Sequence, residues 1–124
     1  MTFRARLSVL AALVAAISLP VLAQSPLVGD AARGKGLFDK RCTTCHVNTE
    51  MGPHYRGLIG RKAGTVPGFD YSRALQEKGV VWSEEALDRW LTNPDAFVPG
   101  NLMGFRIRDP QERADIIAYL KTRV

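Results

Sequence analysis

The chain has 124 residues, 17 Lys and Arg against 12 Asp and Glu, a formal charge of +5, 46% hydrophobic residues and two cysteines. That length bounds it to one small domain. The weak basic excess, with no Lys/Arg run, argues against nucleic acid as a partner.

Residues 1–23 read as a secretory signal peptide. Arg4 and Arg6 supply the positive end, residues 7–19 the apolar stretch, and Val21-Leu22-Ala23 a small-residue cleavage site. The alternative is an uncleaved membrane anchor, but a mainly apolar stretch of thirteen residues falls short of the roughly 20 that a spanning helix needs. Cleavage after Ala23 leaves a domain of 101 residues, 24–124, with 15 basic and 12 acidic side chains and a formal charge of +3. A domain of this size buries a modest core.

Residues 24–29 form a short lead-in. Asp30 is placed to cap a helix running to about Arg41, with Ala31, Gly34, Leu37 and Phe38 on one face. Gly34 and Gly36 each cost such a helix about 1 kcal/mol against alanine. Gly34, on the apolar face, therefore predicts the close approach of another backbone, with Phe38 one turn on in the same contact.

The helix leads into Cys42-Thr43-Thr44-Cys45-His46. Two thiols three apart, followed at once by an imidazole, form the Cys-x-x-Cys-His pattern for covalent haem attachment. Each sulfur can add to one porphyrin vinyl group, and the histidine then falls under the ring, where a neutral imidazole nitrogen can bind iron. Three other readings of these residues stand beside it. A disulfide is one. A thioredoxin-like redox pair is another, although the βαβ surroundings it needs are not visible. Zinc held by Cys42, Cys45, His46 and His54 is the third. Adjacent Cys45 and His46 suit one tetrahedron poorly, and the eight-residue histidine spacing lies outside the usual window.

Residues 50–69 hold Gly52-Pro53, Gly57, Gly60, Gly64 and Pro67-Gly68 and read as a loop. A structureless segment of this length implies that it wraps something, here a haem edge. Ser72 opens a short helix ending at Lys78, with Gly79 as its stop. Ser83 caps the next, with Glu84 and Glu85 in the first turn. Leu87, Trp90 and Leu91 form its buried stripe, and Asn93-Pro94 its end. Residues 95–108 are loop again. Asp109-Pro110 starts the last helix, with Ala114, Ile117, Ala118 and Leu120 facing inward and Tyr119 beside them. No strand pattern or internal repeat stands out, so the chain is expected to be all-α, with about four to five helices around one haem.

A histidine-bound iron takes a second ligand if the chain supplies one. Met1 is lost with the leader, and Met51 lies only five residues past His46. Met103 sits in a distant loop between Gly100 and Gly104, where functional groups are commonly positioned. His54 competes, but follows Pro53 on a polar stretch expected to be exposed. Met103 is the favoured ligand. A thioether stabilises ferrous iron and suits electron transfer.

Gly60-Arg61-Lys62, Val66-Pro67-Gly68-Phe69-Asp70-Tyr71 and Val98-Pro99-Gly100-Asn101-Leu102-Met103, together with Gly52-Pro53 and Trp82, match in order and spacing the class I c-type cytochromes. The chain resembles that family, mitochondrial and soluble bacterial, from Gly29 to Lys121. The resemblance implies the small cytochrome c fold and one haem c attached through Cys42 and Cys45, with His46 and Met103 as iron ligands. It also implies that the Pro53 carbonyl accepts from the His46 ring. Arg61, Tyr71 and Trp82 would contact the inner propionate, and Phe105 would shield the haem near Met103.

The departures are specific. Trp90 stands where mitochondrial relatives have a tyrosine donating to the methionine sulfur. Leu75 replaces an asparagine, and Asn101 a threonine, near a buried water. That water is expected to be lost or displaced. Asp95, Ala96 and Leu102 stand in place of lysines around the haem edge, leaving Lys35, Arg41, Arg106 and Arg108 as front-face charges and no loop lysine to displace Met103.

The expectation is a soluble, monomeric, periplasmic monohaem electron carrier that performs no bond chemistry. Its haem edge would dock membrane or periplasmic redox proteins, with no stable membrane insertion after cleavage. A haem protein with a labile methionine, acting as a peroxidase or gas binder, is the alternative that Trp90 and Leu75 keep open.

Overall fold

The computed structural model describes residues 27–48 and 50–124. The leader expected over residues 1–23, and its cleavage point, lie outside the described residues.

Short acceptor side chains start the helices. Asp30 accepts from Arg33 N at 2.8 Å and opens α1, Ala31–Arg41, which ends on Lys40 and Arg41 where the helix dipole favours cations. The single turn α2, Thr43–His46, follows after Cys42. Ser72 caps α3, Arg73–Glu77, and Ser83 caps α4, Glu84–Thr92. Asp109 accepts from both Gln111 N and Glu112 N at the start of α6, Pro110–Lys121.

Two features differ from expectation. Residues 95–108 are not all loop, because Asn93 both ends α4 and caps a further turn, α5, Pro94–Phe97. Pro94 occupies the first helical position of that turn, where its missing N–H costs nothing. The inward face of α6 is also shifted. Asp115, Ile116, Ile117, Tyr119 and Leu120 are buried, whereas Ala114 and Ala118 are half-buried. The helix packs against both α1 and α4, so a broad face is covered rather than one narrow stripe.

The crossing of α1 and α6 needs Gly34. A Cβ there would stand 1.9 Å from the Asp115 carbonyl oxygen, closer than any side chain permits. Phe38 packs one turn on, its ring centroid 5.4 Å from that of Tyr119. The buried Asp115 carboxylate staples the crossing. It accepts from Arg33 Nε at 2.9 Å, Arg33 Nη2 at 3.1 Å, Asp30 N at 2.8 Å and Gln111 Nε2 at 2.9 Å. The guanidinium hydrogen bonds, joined by those of Asp30 N and Gln111, outweigh burial and hold the carboxyl well below its usual range.

The long glycine-rich loop is tied down by backbone pairing. Lys62 and Val81 form an antiparallel bridge, flanked by Ala63 N to Val80 O at 2.8 Å and Trp82 N to Arg61 O at 3.0 Å. No strand forms among the described residues, and the architecture is all-α. None of the described helices is long and apolar enough to cross a membrane.

Candidate functional site

Cys45 and His46 sit on α2, and Cys42 joins it directly to the end of α1. Cys42 and Cys45 are half-buried and outside any disulfide. Burial pushes the Cys42 thiol up to about 11, so it rests protonated. Residues 50–53 then fold back over the imidazole. Gly52 N donates to Cys45 O at 2.9 Å, and a Cβ on Gly52 would lie 2.8 Å from His46 Cε1 and Nδ1. Only glycine lets the backbone lie this close to the ring.

His46 Nδ1 lies 2.8 Å from Pro53 O. A carbonyl can only accept, so Nδ1 carries a proton, and in the neutral imidazole Nε2 then keeps its lone pair for an outside acid. The ring is thereby fixed in both orientation and tautomer. His54 is exposed, and its carbonyl accepts from Arg61 Nη2 at 3.0 Å.

Met103 lies half-buried in the loop after α5 and packs against the core. Trp90, buried on α4, donates its indole Nε1–H to Met103 Sδ at 3.0 Å. The Trp90 ring itself meets Trp82 edge-on, with centroids 5.4 Å apart. Leu75 is buried in the same core.

Arg61 and Trp82 are brought together across the bridge by paired backbones, and the Arg61 charge is felt at the Tyr71 phenol. The Arg61 guanidinium also donates to Arg56 O at 2.7 Å. Tyr71 accepts from Val66 N at 3.3 Å, and its burial raises the phenol above its ordinary value. Phe105 is 42% exposed. Of the front-face cations, Lys35 pairs with Asp39, Arg41 with Glu112 and Arg106 with Asp95. Most of that charge is met within the molecule.

Two residues take roles that their sequence positions do not announce. Tyr55 packs on Phe38, with centroids 4.4 Å apart, and its ring centroid lies 6.5 Å from that of Tyr119. Its aromatic type in a glycine-rich loop is the one signal for it. Asn101 stands out in the sequence only as a replacement, yet its Oδ1 accepts from Met103 N at 2.7 Å.

The donor set fits a covalently held haem. It comprises two thiols outside a disulfide, an imidazole with Nε2 free to bind, and a thioether packed against a largely apolar core. Zinc fits poorly, since among the described residues no three His, Cys, Asp or Glu side chains gather to hold a metal ion.

Comparison with known proteins covers the same span. The sequence profile of the family described as Cytochrome c matches residues 31–123. Cytochrome c type-1 of Ascaris suum is 48% identical over 98 residues, covering 75% of this chain and 88% of that protein. Cytochrome c2 of Rhodomicrobium vannielii is 43% identical over 101 residues, covering 77% of this chain and 80% of that protein. Among solved structures, cytochrome cH from Methylobacterium extorquens superposes with a TM-score of 0.69 at 43% identity, covering 76% of this chain and 99% of that one. Since the match takes in the motif turn, the glycine-rich loop, the methionine loop and the α1–α6 crossing alike, the chain belongs to the cytochrome c family of haem-containing electron carriers, as a class I c-type cytochrome.

Proposed function

We propose that this protein is a soluble, monomeric, one-electron carrier of the bacterial periplasm, exported by a leader removed after Ala23 and performing no bond chemistry. Cys42 and Cys45 would hold one haem c through thioether bonds, and His46 Nε2 and Met103 Sδ would bind its iron. When bound, the haem supplies a single reversible ferric–ferrous couple.

The chain's own residues set the terms of that couple. Pro53 O fixes the His46 ring and raises its basicity, as outer partners of ligating histidines do. The Met103 thioether favours the ferrous state, and the Trp90 N–H, by drawing on the sulfur lone pair, favours it further. Arg61, Tyr71 and Trp82 would hold the inner propionate and keep its charge tolerable in a dry site. Phe105 and Leu102, both exposed, flank Met103 where membrane or periplasmic redox proteins would dock.

One observation carries the reading: a thioether and an imidazole are each oriented by a dedicated hydrogen bond, and each keeps a lone pair for iron. The test is the optical spectrum of the protein matured with haem, ferric and ferrous, with carbon monoxide added to the latter. A weak red methionine-to-ferric-iron band and no response to carbon monoxide are expected. A missing band with a carbon monoxide shift would overturn the closed His/Met site in favour of a peroxidase or gas binder.

A further inference from the structure

Met103 belongs to a span whose two feet are firmly held. Val98, 1% exposed, donates its N–H to Pro94 O at 2.8 Å. Ile107, also 1% exposed, donates to Leu91 O at 2.7 Å. Between them the chain is mostly exposed: Leu102 is 81% exposed, and Gly100 and Gly104 are open to solvent. A methionine has three rotatable bonds and an adaptable shape. Trp90 holds its sulfur and the core holds its side chain, but neither contact fixes its main chain.

Asn101 supplies that main-chain restraint. Its Oδ1 accepts from Met103 N at 2.7 Å, closing a tight turn two residues long. Its Nδ2 donates to Val98 O at 3.0 Å and to Asp95 Oδ1 at 3.2 Å, and its own N–H reaches Val98 O at 3.1 Å. One amide thus ties the Met103 backbone to the fixed foot at Val98. An N–H can only donate, so the network sets the amide orientation without ambiguity.

We propose that Asn101 is a positioning residue for Met103, a latch on its backbone that keeps the thioether facing the haem site and sets how slowly it lets go. The inference rests on Met103 being the iron ligand. Asn101 and Trp90 act differently. Trp90 touches the sulfur and alters its electron donation, whereas Asn101 touches only the main chain and alters residence time.

The experiment compares the wild type with Asn101→Ala, Asn101→Gln, Asn101→Ser and Trp90→Phe, all matured with haem. The probe is cyanide binding to the ferric protein, which on this reading requires Met103 to leave the iron, together with hydrogen exchange at the Met103 amide. Asn101→Ala is expected to bind cyanide about tenfold faster, the scale of one lost hydrogen bond, with matching loss of amide protection. Asn101→Gln keeps an amide but misplaces its oxygen, and is expected to behave like Ala. Asn101→Ser, whose hydroxyl can accept from the N–H two residues on, is expected to fall between. Trp90→Phe is expected to move the red charge-transfer band, which the Asn101 variants leave in place. Wild-type cyanide rates in both Asn101→Ala and Asn101→Gln would overturn the latch, and should Ala fail to mature, Gln alone decides. A wild type that lacks the red band and binds carbon monoxide would instead overturn the His/Met reading beneath it.

Discussion

The indole Nε1–H of Trp90 points at the sulfur of Met103 across 3.0 Å, from a ring that is itself 7% exposed and braced edge-on by Trp82. An indole nitrogen donates and cannot accept, and it does not titrate in the usual range. A phenol in the same place would do all three. The hydrogen-bond chain therefore stops at Trp90, with no acceptor to recruit a water or to carry a proton to the Met103 sulfur.

Removing this donor is expected to lower the reduction potential. Without the N–H the sulfur donates more freely to ferric iron, and one such hydrogen bond, about 1 kcal/mol, corresponds to roughly 40 mV for a one-electron couple. Trp90→Phe should show that fall in voltammetry, along with a stability loss of about 2 kcal/mol from the smaller ring. The potential of the wild type should stay flat where a phenol would titrate. A crystal structure with an ordered water bonded to the Met103 sulfur would overturn the dry arrangement.

Gly34 and Gly36 lie two residues apart on α1 and should respond oppositely to alanine. At Gly34 a Cβ meets the Asp115 carbonyl at 1.9 Å, and the obstacle is backbone that cannot swing aside. Gly34→Ala is expected to destabilise by about 3 kcal/mol or to block maturation altogether. At Gly36 a Cβ meets nothing within 4 Å. Gly36→Ala should therefore gain up to about 1 kcal/mol in a denaturant titration, from helix propensity alone.

Asp115 gives the fold an acid-sensitive staple. Its carboxyl is held below the ordinary range, mainly by Arg33. The stabilisation it supplies is complete above the unfolded value of about 3.9 and is lost as pH falls toward its folded value. Asp115→Asn is expected to cost about 2 kcal/mol at neutral pH, a modest figure because Arg33 remains 59% exposed and can turn to water. The variant should also show a flatter decline of stability between pH 4 and pH 2 than the wild type. Thermal unfolding across that range is the measurement.

How much of this is legible in the sequence depends on how local each cause is. Asp30, Ser72, Ser83 and Asp109 each precede a helical run and satisfy an N–H two or three residues on, so sequence alone places them. Gly34 is legible because a glycine on an apolar helix face gives up both helix propensity and buried area, a double loss that close backbone packing offsets. Asp115 is not, since its partner Arg33 lies 82 residues away and a carboxylate looks like a surface residue until that partner is known. The turn α5 is hidden because Asn93-Pro94 reads as a stop, while the same asparagine also starts the next turn. At the site, the motif, His46, Pro53 and Met103 carry spacing or flanking signals. Asn101 carries none, because its role exists only once the loop has closed on Val98.

The methionine loop also governs behaviour at high pH. Residues 93–109 contain no lysine, and the cations there are the guanidinium groups of Arg106 and Arg108. A deprotonated amine is a strong competitor for a thioether on ferric iron at alkaline pH, and this segment offers none. The ferric wild type should therefore keep its red charge-transfer band past pH 10, where a lysine of ordinary pKa would have begun to compete. Leu102→Lys places an amine on the residue next to Met103, at a position 81% exposed, where it costs the fold little. That variant should lose the band at least about one pH unit earlier than the wild type, with a lysine-ligated spectrum in its place. Facile lysine ligation in the wild type would mean that a more distant lysine reaches the iron, and that the hold of Trp90 and Asn101 on Met103 is weaker than their hydrogen bonds imply.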